Sequence, residues 1–335
     1  MPTDIFEKIA GLHVVVVGDV MLDNYSWGDA ERLSPEAPVP VVSIRKTENR
    51  LGGAANVALN CKALGARVSI ASVIGNDAEG DILEALLKEQ DIETTLLRKS
   101  DNRITTSKSR ILSRNQQMIR LDREITDELD TKDEHAFIDA TLRYLQIQKP
   151  QVLIFEDYNK GVLKENIIDK ITTHCRNLGI IIAVDPKKKN FFSYKQADIF
   201  KPNLKEVREG LNIPLEEISR KTLDQVHIQL KQQLDHRISF ITLSEKGVYA
   251  HDAVAGKILP SHIRNIADVS GAGDTVIAVA SLVYAVTRDA LLMAAYSNIA
   301  GGLVCEEVGV VPVDRQKLIR EIALLEKEDN AAINQ

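Results

Sequence analysis

Asp268-Val-Ser-Gly-Ala-Gly-Asp274-Thr275 runs directly into an apolar stretch, Val276-Ile-Ala-Val-Ala-Ser-Leu-Val-Tyr284. A glycine-rich turn that opens a helix presents free backbone N–H groups and the positive end of the helix dipole. Such a place suits an anion, often a phosphate. Asp274 stands where the turn becomes the helix. As packing alone, a carboxylate beside an anion cradle is unfavourable, because like charges repel. It makes sense if the carboxylate faces the group that attacks the anion. The alternative is a plain glycine-rich turn capped by an aspartate.

Upstream of this turn the chain alternates strand-like and helix-like segments. His13-Val-Val-Val-Val17 is a short β-branched run of the kind that forms a buried parallel strand. It ends in Gly18-Asp19-Val-Met-Leu-Asp23. Arg67 to Val73, Val152 to Phe155, Ile180 to Val184, Asp198 to Phe200 and Ile238 to Ile241 read as further strands. Helices are expected over 81–88, 133–146 and 164–177, the last stopped by Gly179. Most of the strands end in polar or charged residues: Asp19, Glu156-Asp157, Asp185-Pro-Lys187, Lys201-Pro-Asn203 and Thr242-Leu-Ser244. In open α/β sheets the binding crevice lies outside the carboxyl ends of the strands. The concentration of such residues there points to one crevice, with Asp19 and Asp23 as ligand hooks or turn formers.

Two stretches have a different texture. Pro35-Glu-Ala-Pro-Val-Pro-Val-Val-Ser-Ile44 has too many prolines for a central strand and suits an edge. Arg103 to Leu112 and Gln116 to Asp122 read as a β pair with a turn at Ser113-Arg-Asn-Gln116. These segments, about 35–50 and 95–123, are expected to form one β lid folded over the crevice. A small sheet alone seldom buries enough apolar area, so the lid is also the expected surface of a homodimer. Between them, Leu51-Gly52-Gly53-Ala-Ala-Asn56 opens an Ala-rich helix. The glycine pair lets a ligand approach the backbone, and Asn56 could offer its amide to hydroxyls; close helix packing is the other explanation.

The 335 residues, 44% hydrophobic, are expected to form a single domain over 1–330 with the lid inserted and a frayed tail at 331–335. Net charge is −6, with no basic stripe, which argues against nucleic acid. Cys61, Cys175 and Cys305 fit no metal spacing and read as buried thiols in a reducing cytoplasm. No signal-peptide pattern and no run of membrane-spanning length appears. Histidines form no H-E-x-x-H, and neither Walker A, a G-x-S-x-G elbow nor G-x-G-x-x-G after the first strand is present.

From about Leu12 to Ala323 the chain resembles the ribokinase-type sugar kinases, the PfkB family. The likeness rests on the Gly52-Gly53 segment with Asn56 and on the 268–275 stretch. It implies a three-layer α/β/α fold with a mostly parallel central sheet and a small β-sheet lid. Asn203-Leu-Lys-Glu206 is similar to the family's N-x-x-E element, which acts on magnesium and phosphate. Asn followed three residues on by Glu is also a helix capping box. Thr242-Leu-Ser244-Glu-Lys246-Gly247 resembles the nucleotide stretch T-x-G-x-x-G, with Ser244 in place of the first glycine. Within the family, Gly18 to Asp23, Leu33 to Pro40, Leu112 to Gln117, Asp157-Tyr-Asn-Lys-Gly161 and Asp185-Pro-Lys187 are most similar to the heptose 7-phosphate kinases of lipopolysaccharide biosynthesis. No H-x-G-H motif of a fused nucleotidyltransferase is present, and the chain is expected to end before such a domain.

The resemblance implies a kinase that phosphorylates the anomeric hydroxyl of a heptose 7-phosphate with ATP and Mg²⁺, and with a possible role for K⁺. Another sugar or nucleoside kinase, or a non-catalytic sensor on the same fold, is the alternative. Asp274 would take the hydroxyl proton, the nearby helix N-terminus favouring its ionised form. The Gly271-Ala272-Gly273 amides would hold the phosphoryl charge. Asn203 and Glu206 would organise Mg²⁺; Thr242, Ser244, Lys246, Gly247 and Asn298 the nucleotide; Asp268 and Ser270 potassium. Asp19, Asp23, Gly52, Gly53, Asn56, Glu156, Asp157 and Asp185 would face the sugar. Arg32, Arg114, Lys160 and Lys187 are the candidate cations for the sugar's own phosphate; each is otherwise a solvated surface charge.

Overall fold

The computed structural model describes residues 2–113, 116–252, 254–262 and 264–333. Helix α1 (Pro2–Ile9) leads into β1 (His13–Gly18). The long strands β2 (Val20–Leu33) and β3 (Pro40–Gly53) follow, then α2 (Ala54–Ala63), β4 (Arg67–Gly75), α3 (Ala78–Glu89) and β5 (Glu93–Ser100). β6 (Ser107–Ser113) and β7 (Gln116–Arg123) precede α4 (Thr131–Gln148), β8 (Val152–Glu156), α5 (Glu165–Leu178) and β9 (Ile181–Asp185). The chain continues through β10 (Ile199–Phe200), α6 (Leu204–Leu211), α7 (Arg220–Leu234), β11 (Ile238–Thr242), β12 (Val248–His251) and β13 (Gly256–Leu259). It closes with α8 (Ala272–Thr287), α9 (Ala290–Val304) and α10 (Arg315–Ile333).

Among the described residues the central sheet runs β13-β12-β11-β10-β9-β8-β1-β4-β5. Every pair from β5 to β11 is parallel, and β12 and β13 add an antiparallel edge. The valines of β1 show why the sheet is buried on both faces. Successive side chains of a strand point to opposite faces, so Val14 and Val16 join one core while Val15 and Val17 join the other. The first core packs α1, α2, α3, α8, α9 and α10 against the sheet. The second packs α4, α5, α6 and α7 on the opposite face. This is the three-layer arrangement that the resemblance to the sugar kinases implied.

The lid is a separate sheet, β3-β2-β6-β7. Its composition corrects the sequence reading in two places. Residues 20–33 form a full lid strand, paired with β3 from Val20↔Gly53 to Leu33↔Pro40. The turn expected after β1 is a single break at Asp19. The stretch 93–100, expected in the lid, is β5 at the edge of the central sheet, paired with β4. Strand β2 has a mixed polar composition because both of its faces carry functional or lid-surface residues. It therefore lacks a period-2 signal. Helix α10 continues to Ile333, beyond the point where fraying was expected; 334 and 335 lie outside the described residues.

The topology places the crevice. From β1 the chain order runs outward through β4 and β5 on one side and through β8 and β9 on the other. Such a reversal opens a gap at the carboxyl ends of the strands. Register aligns Gly18 with Glu156 and Glu156 with Asp185 across that gap.

Candidate active site

Asp274 lies in the first turn of α8 and is 3% exposed. Asn56, from the first turn of α2, donates its amide to Asp274 Oδ2 at 2.7 Å. Tyr158 donates its phenol to Asp274 Oδ1, also at 2.7 Å. Burial is the main influence on this carboxyl and raises its pKa to about 6, with Asp185 pushing the same way. The hydrogen bonds from Asn56 and Tyr158, and the charge of Lys201, pull it back only in part. The expectation that the helix end favours ionisation is corrected accordingly. Desolvation of a fully buried carboxylate outweighs a partial helix charge.

Of the glycines in this turn, Gly271 is the one that geometry requires. Gly271 has φ +78°, and a Cβ there would lie 2.8 Å from Asn56 Nδ2, inside the contact that aligns Asp274. Gly273 faces Asp185 and Lys201, whose Oδ2 and Nζ would each be 3.8 Å from an added Cβ. No side chain caps the start of α8; the Ala272 N–H donates back to Val269 O at 3.3 Å, and Gly273 follows in the first turn, where a helix leaves N–H groups without an intrahelical partner. Asp268 closes the turn from behind: Oδ1 accepts from Ser270 N–H and Oδ2 from Gly309 N–H, both at 2.9 Å.

At the ends of β8, β9 and β10 the structure gathers a mixed-charge floor. Glu156 is fully buried, and neither carboxylate oxygen has a hydrogen-bond partner. Burial first, then repulsion from Asp185 and Asp274, holds its pKa well above the usual range against the pull of Lys187 and Lys201. Asp185 pairs with Lys201 at 2.7 Å and with Lys187 at 3.4 Å. Lys187 also donates to Glu206 Oε1 at 2.6 Å. Burial disfavours the Lys187 charge, but Asp185, Glu206 and Glu156 together raise its pKa well above normal.

Asn203 and Glu206 form the capping box of α6. Asn203 Oδ1 accepts from Glu206 N–H at 2.9 Å, and Glu206 Oε2 accepts from Asn203 N–H at 2.8 Å. The capping alternative is thus the arrangement present, and Glu206 still turns its other oxygen to the crevice through Lys187. Asn203 also bridges to Thr242, which brings the 242–247 stretch alongside. In that stretch Ser244 has φ +56°, the left-handed region that favours glycine, and Gly247 has φ +94°. Lys246 is exposed. Asn298 of α9 donates to Pro260 O at 2.8 Å, just beyond β13 and close to Gly247.

Several residues expected to face a sugar also make hydrogen bonds within the scaffold. Asp19 accepts three backbone N–H groups, from Tyr158, Lys160 and Val162. It pins the loop after β8 with both oxygens. Asp157 accepts from Asn190, Tyr194 and the Asn159 amide, and burial followed by repulsion from Asp19 raises its pKa to about 6. Asn56 spends its amide on Asp274 and its oxygen on Asn60. Asp23 pairs with Arg110 of β6, and Gly52 leaves room for it, since a Cβ would meet Asp23 Oδ2 at 2.2 Å. Gly53, at φ +58°, lies against Tyr158.

The three described candidate phosphate cations scatter. Lys187 sits at the floor beside Glu206, not at the far end of the crevice. Lys160 pairs with Glu124 at 2.7 Å. Arg32 is exposed near the tip of the β2–β3 hairpin, opposite Val41. It is nine residues beyond Asp23, a span of about 30 Å in a strand. Arg114 lies outside the described residues. Sequence reasoning passed over Tyr158, Lys201 and Lys108. Lys201 is 2% exposed at a strand end, the same position type that singled out Asp185. Lys108 points from β6 toward the Tyr158 ring, 5.6 Å from its centroid, and burial lowers its pKa.

Residues 12–316 match the profile of the pfkB family of carbohydrate kinases. The bifunctional protein HldE of Sulfurimonas denitrificans is 34% identical over 319 residues, covering 95% of this chain but 66% of that protein. The chain thus spans slightly less than two thirds of that relative. Among solved structures, phosphofructokinase-2 from Escherichia coli in complex with potassium superposes with TM-score 0.75 at 15% identity, covering 93% of this chain and 99% of the other. Ribokinase from Arabidopsis thaliana, complexed with ribose and ATP, gives 0.69 at 16% identity over 92% and 98%. At those identities the likeness concerns the fold. On the match over residues 12–316, the chain belongs to the pfkB family of carbohydrate kinases.

Proposed function

We propose that this kinase transfers the γ-phosphoryl group of ATP to the anomeric hydroxyl of D-glycero-D-manno-heptose 7-phosphate, giving the 1,7-bisphosphate for lipopolysaccharide core assembly. The chemistry rests on one observation: Asp274 is clamped by Asn56 and Tyr158 at the uncapped start of α8, beside Gly271 and Gly273. The heptose assignment rests on the likeness to HldE.

Phosphoryl transfer is mostly positioning and charge neutralisation. Asp274 takes the proton of the attacking hydroxyl as that oxygen bonds to phosphorus and the bond to the departing ADP oxygen breaks. Its pKa of about 6 leaves it ionised at neutral pH yet a better proton acceptor than an exposed aspartate. The amides at the start of α8, with Lys201 beside Gly273, receive the phosphoryl charge.

The floor suits a magnesium ion. Glu206, Asp185 and the unpartnered oxygens of Glu156 are the hard oxygen donors it takes. Mg²⁺ usually keeps several of its waters and takes few protein ligands. Bound there, Mg²⁺ neutralises charge on the nucleotide phosphates. Asn203 serves through the cap that orients Glu206. Asp268 and Ser270 remain the residues proposed to hold potassium behind the turn.

For the sugar's own phosphate, Lys108 replaces the scattered candidates. It is a half-buried lysine on the pocket side of the lid. The opposite lid face carries the paired Ile111 and Ile119, with Leu121 two residues on. That apolar face is the proposed homodimer surface. No helix is long and apolar enough to cross a membrane among the described residues, and a cytoplasmic site of action accords with the ATP requirement.

The assignment is tested by ATP turnover on heptose 7-phosphate, unphosphorylated heptose, ribose and fructose, with ³¹P NMR of the product. Preferred use of heptose 7-phosphate with a new anomeric phosphate is expected. Equal efficiency on an unphosphorylated sugar would overturn the substrate and leave the kinase standing.

A further inference from the structure

Tyr158 stands immediately after the β8 strand end, and its backbone has almost no freedom. Its N–H donates to Asp19 Oδ2 at 2.8 Å, and Asp19 also holds the amides of Lys160 and Val162. Asp157, next door, is tied to Asn190 and Tyr194. Two buried carboxylates therefore fix the loop that carries the phenol. The ring is fixed as well. Gly53 lies against one edge, and the ammonium groups of Lys187 and Lys108 stand 5.2 and 5.6 Å from its centroid. A cation over an aromatic ring is attracted by the ring quadrupole.

The phenol reaches Asp274 Oδ1 at 2.7 Å while Asn56 holds Oδ2. One donor on each oxygen selects a single orientation of the carboxylate, leaving lone pairs on the side away from both donors. A donor to a carboxylate also favours its charged form.

We propose that Tyr158 is a positioning residue for phosphoryl transfer, whose hydroxyl orients Asp274 and sets the pH at which it becomes a competent base. This rests on the reading of Asp274 as the base. The phenol is the donor in this contact, because an ionised carboxylate can only accept. It does not compete for the substrate proton. Lys187 and Lys108 give the same ring a link to the floor and to the lid, so the base is aligned by an element that touches both.

The groups facing Asp274 are Asn56 from α2, Glu156 and Tyr158 from the end of β8, Asp185 with its neighbour Lys187 from β9, and Lys201 from β10. Tyr158→Phe removes one hydroxyl and leaves all the others and the ring packing in place. In that variant kcat is expected to fall about tenfold, the size of losing one hydrogen bond to a charged group. KM for sugar and for ATP should stay within about twofold. The acid limb of the kcat/KM profile should move up by about one pH unit. ¹³C NMR titration of the Asp274 carboxyl in the ligand-free protein should show the same displacement.

A role confined to packing would leave both titrations where they are, and unchanged titrations would overturn the proposal. Fluorotyrosine at position 158 provides a second variant that keeps the shape and strengthens the donor. Its acid limb should move to lower pH, and no movement would count against the proposal. Asp274→Asn, assayed in parallel, separates the two readings. Full turnover there would overturn the base assignment itself, while the NMR displacement in Tyr158→Phe would persist.

Discussion

Lys187 donates to Glu206 Oε1 at 2.6 Å, joining the end of β9 to the start of α6 across the crevice floor. The contact places a lysine expected at the sugar-phosphate end beside the residues proposed to receive the nucleotide phosphates. Lys108, on the lid, is the other cation over the Tyr158 ring, 5.6 Å from its centroid against 5.2 Å for Lys187.

These positions predict opposite kinetic signatures. Lys187→Met should lower kcat and raise KM for ATP, because it leaves Glu206 and Asp185 without their shared cation. Lys108→Met should raise KM for the phosphorylated sugar about tenfold to a hundredfold, the value of one charge-assisted hydrogen bond. Its KM for ATP should barely change. Steady-state kinetics on both variants decide; the reverse pattern would exchange the two assignments.

Asp274 carries a stability cost that depends on pH. Its folded pKa of about 6 lies above the ordinary 3.8. Between those values the folded state binds more protons than the unfolded state, so this group's contribution to stability falls as pH rises from about 4 to 6. Asp274→Asn has no such titration. It should therefore be more stable than the wild type at pH 8, by up to about 2–3 kcal/mol, with little advantage at pH 4. Urea unfolding at the two pH values measures the gap, and turnover at pH 8 should be lower by orders of magnitude. An equal gap at both pH values would show that the carboxyl is not held at a raised pKa.

Ser244 occupies the left-handed region at φ +56°. A residue with a Cβ pays roughly 1–2 kcal/mol there, offset in part by the freedom that glycine has in the unfolded chain. Ser244→Gly should stabilise the protein by about 0.5–1 kcal/mol and leave ATP binding intact. Gly247→Ala is the contrast: its Cβ would lie 2.1 Å from Leu259 O, so it should destabilise the protein by at least about 2 kcal/mol and weaken ATP binding. Thermal melts with and without ATP test both.

The exposed lid face predicts the assembly. Ile119 and Leu121 are 48% and 54% exposed on one edge strand. Charges at both positions, Ile119→Lys with Leu121→Lys, should yield a monomer by sedimentation and leave melting of the central domain nearly unchanged. A variant that sediments like the wild type would move the interface off this face.

The runs that became β1, β8, β9 and β11 were legible in sequence because each is a continuous apolar stretch closed by polar residues. The 268–275 turn was legible because its glycines and aspartate lie within one local segment. From these came the α/β class, the crevice at the strand ends and the place of Asp274.

Strand β2 was not legible, because its residues are divided between a pocket face bearing Asp23 and Tyr25 and a lid face shared with Ile111. No single period marks such a strand. The partners of Asp274 were hidden for a related reason: Asn56, Tyr158 and Lys201 are far apart in the chain and ordinary in their local settings. Only the packing of α2, β8 and β10 around the start of α8 brings them together. The base strength of Asp274 was likewise decided by tertiary structure, since desolvation depends on everything that surrounds a group and not on its neighbours in sequence. What the sequence determined on its own was the local chemistry at each strand end; which of those groups meet, and in which charge state, depended on the fold that buries them.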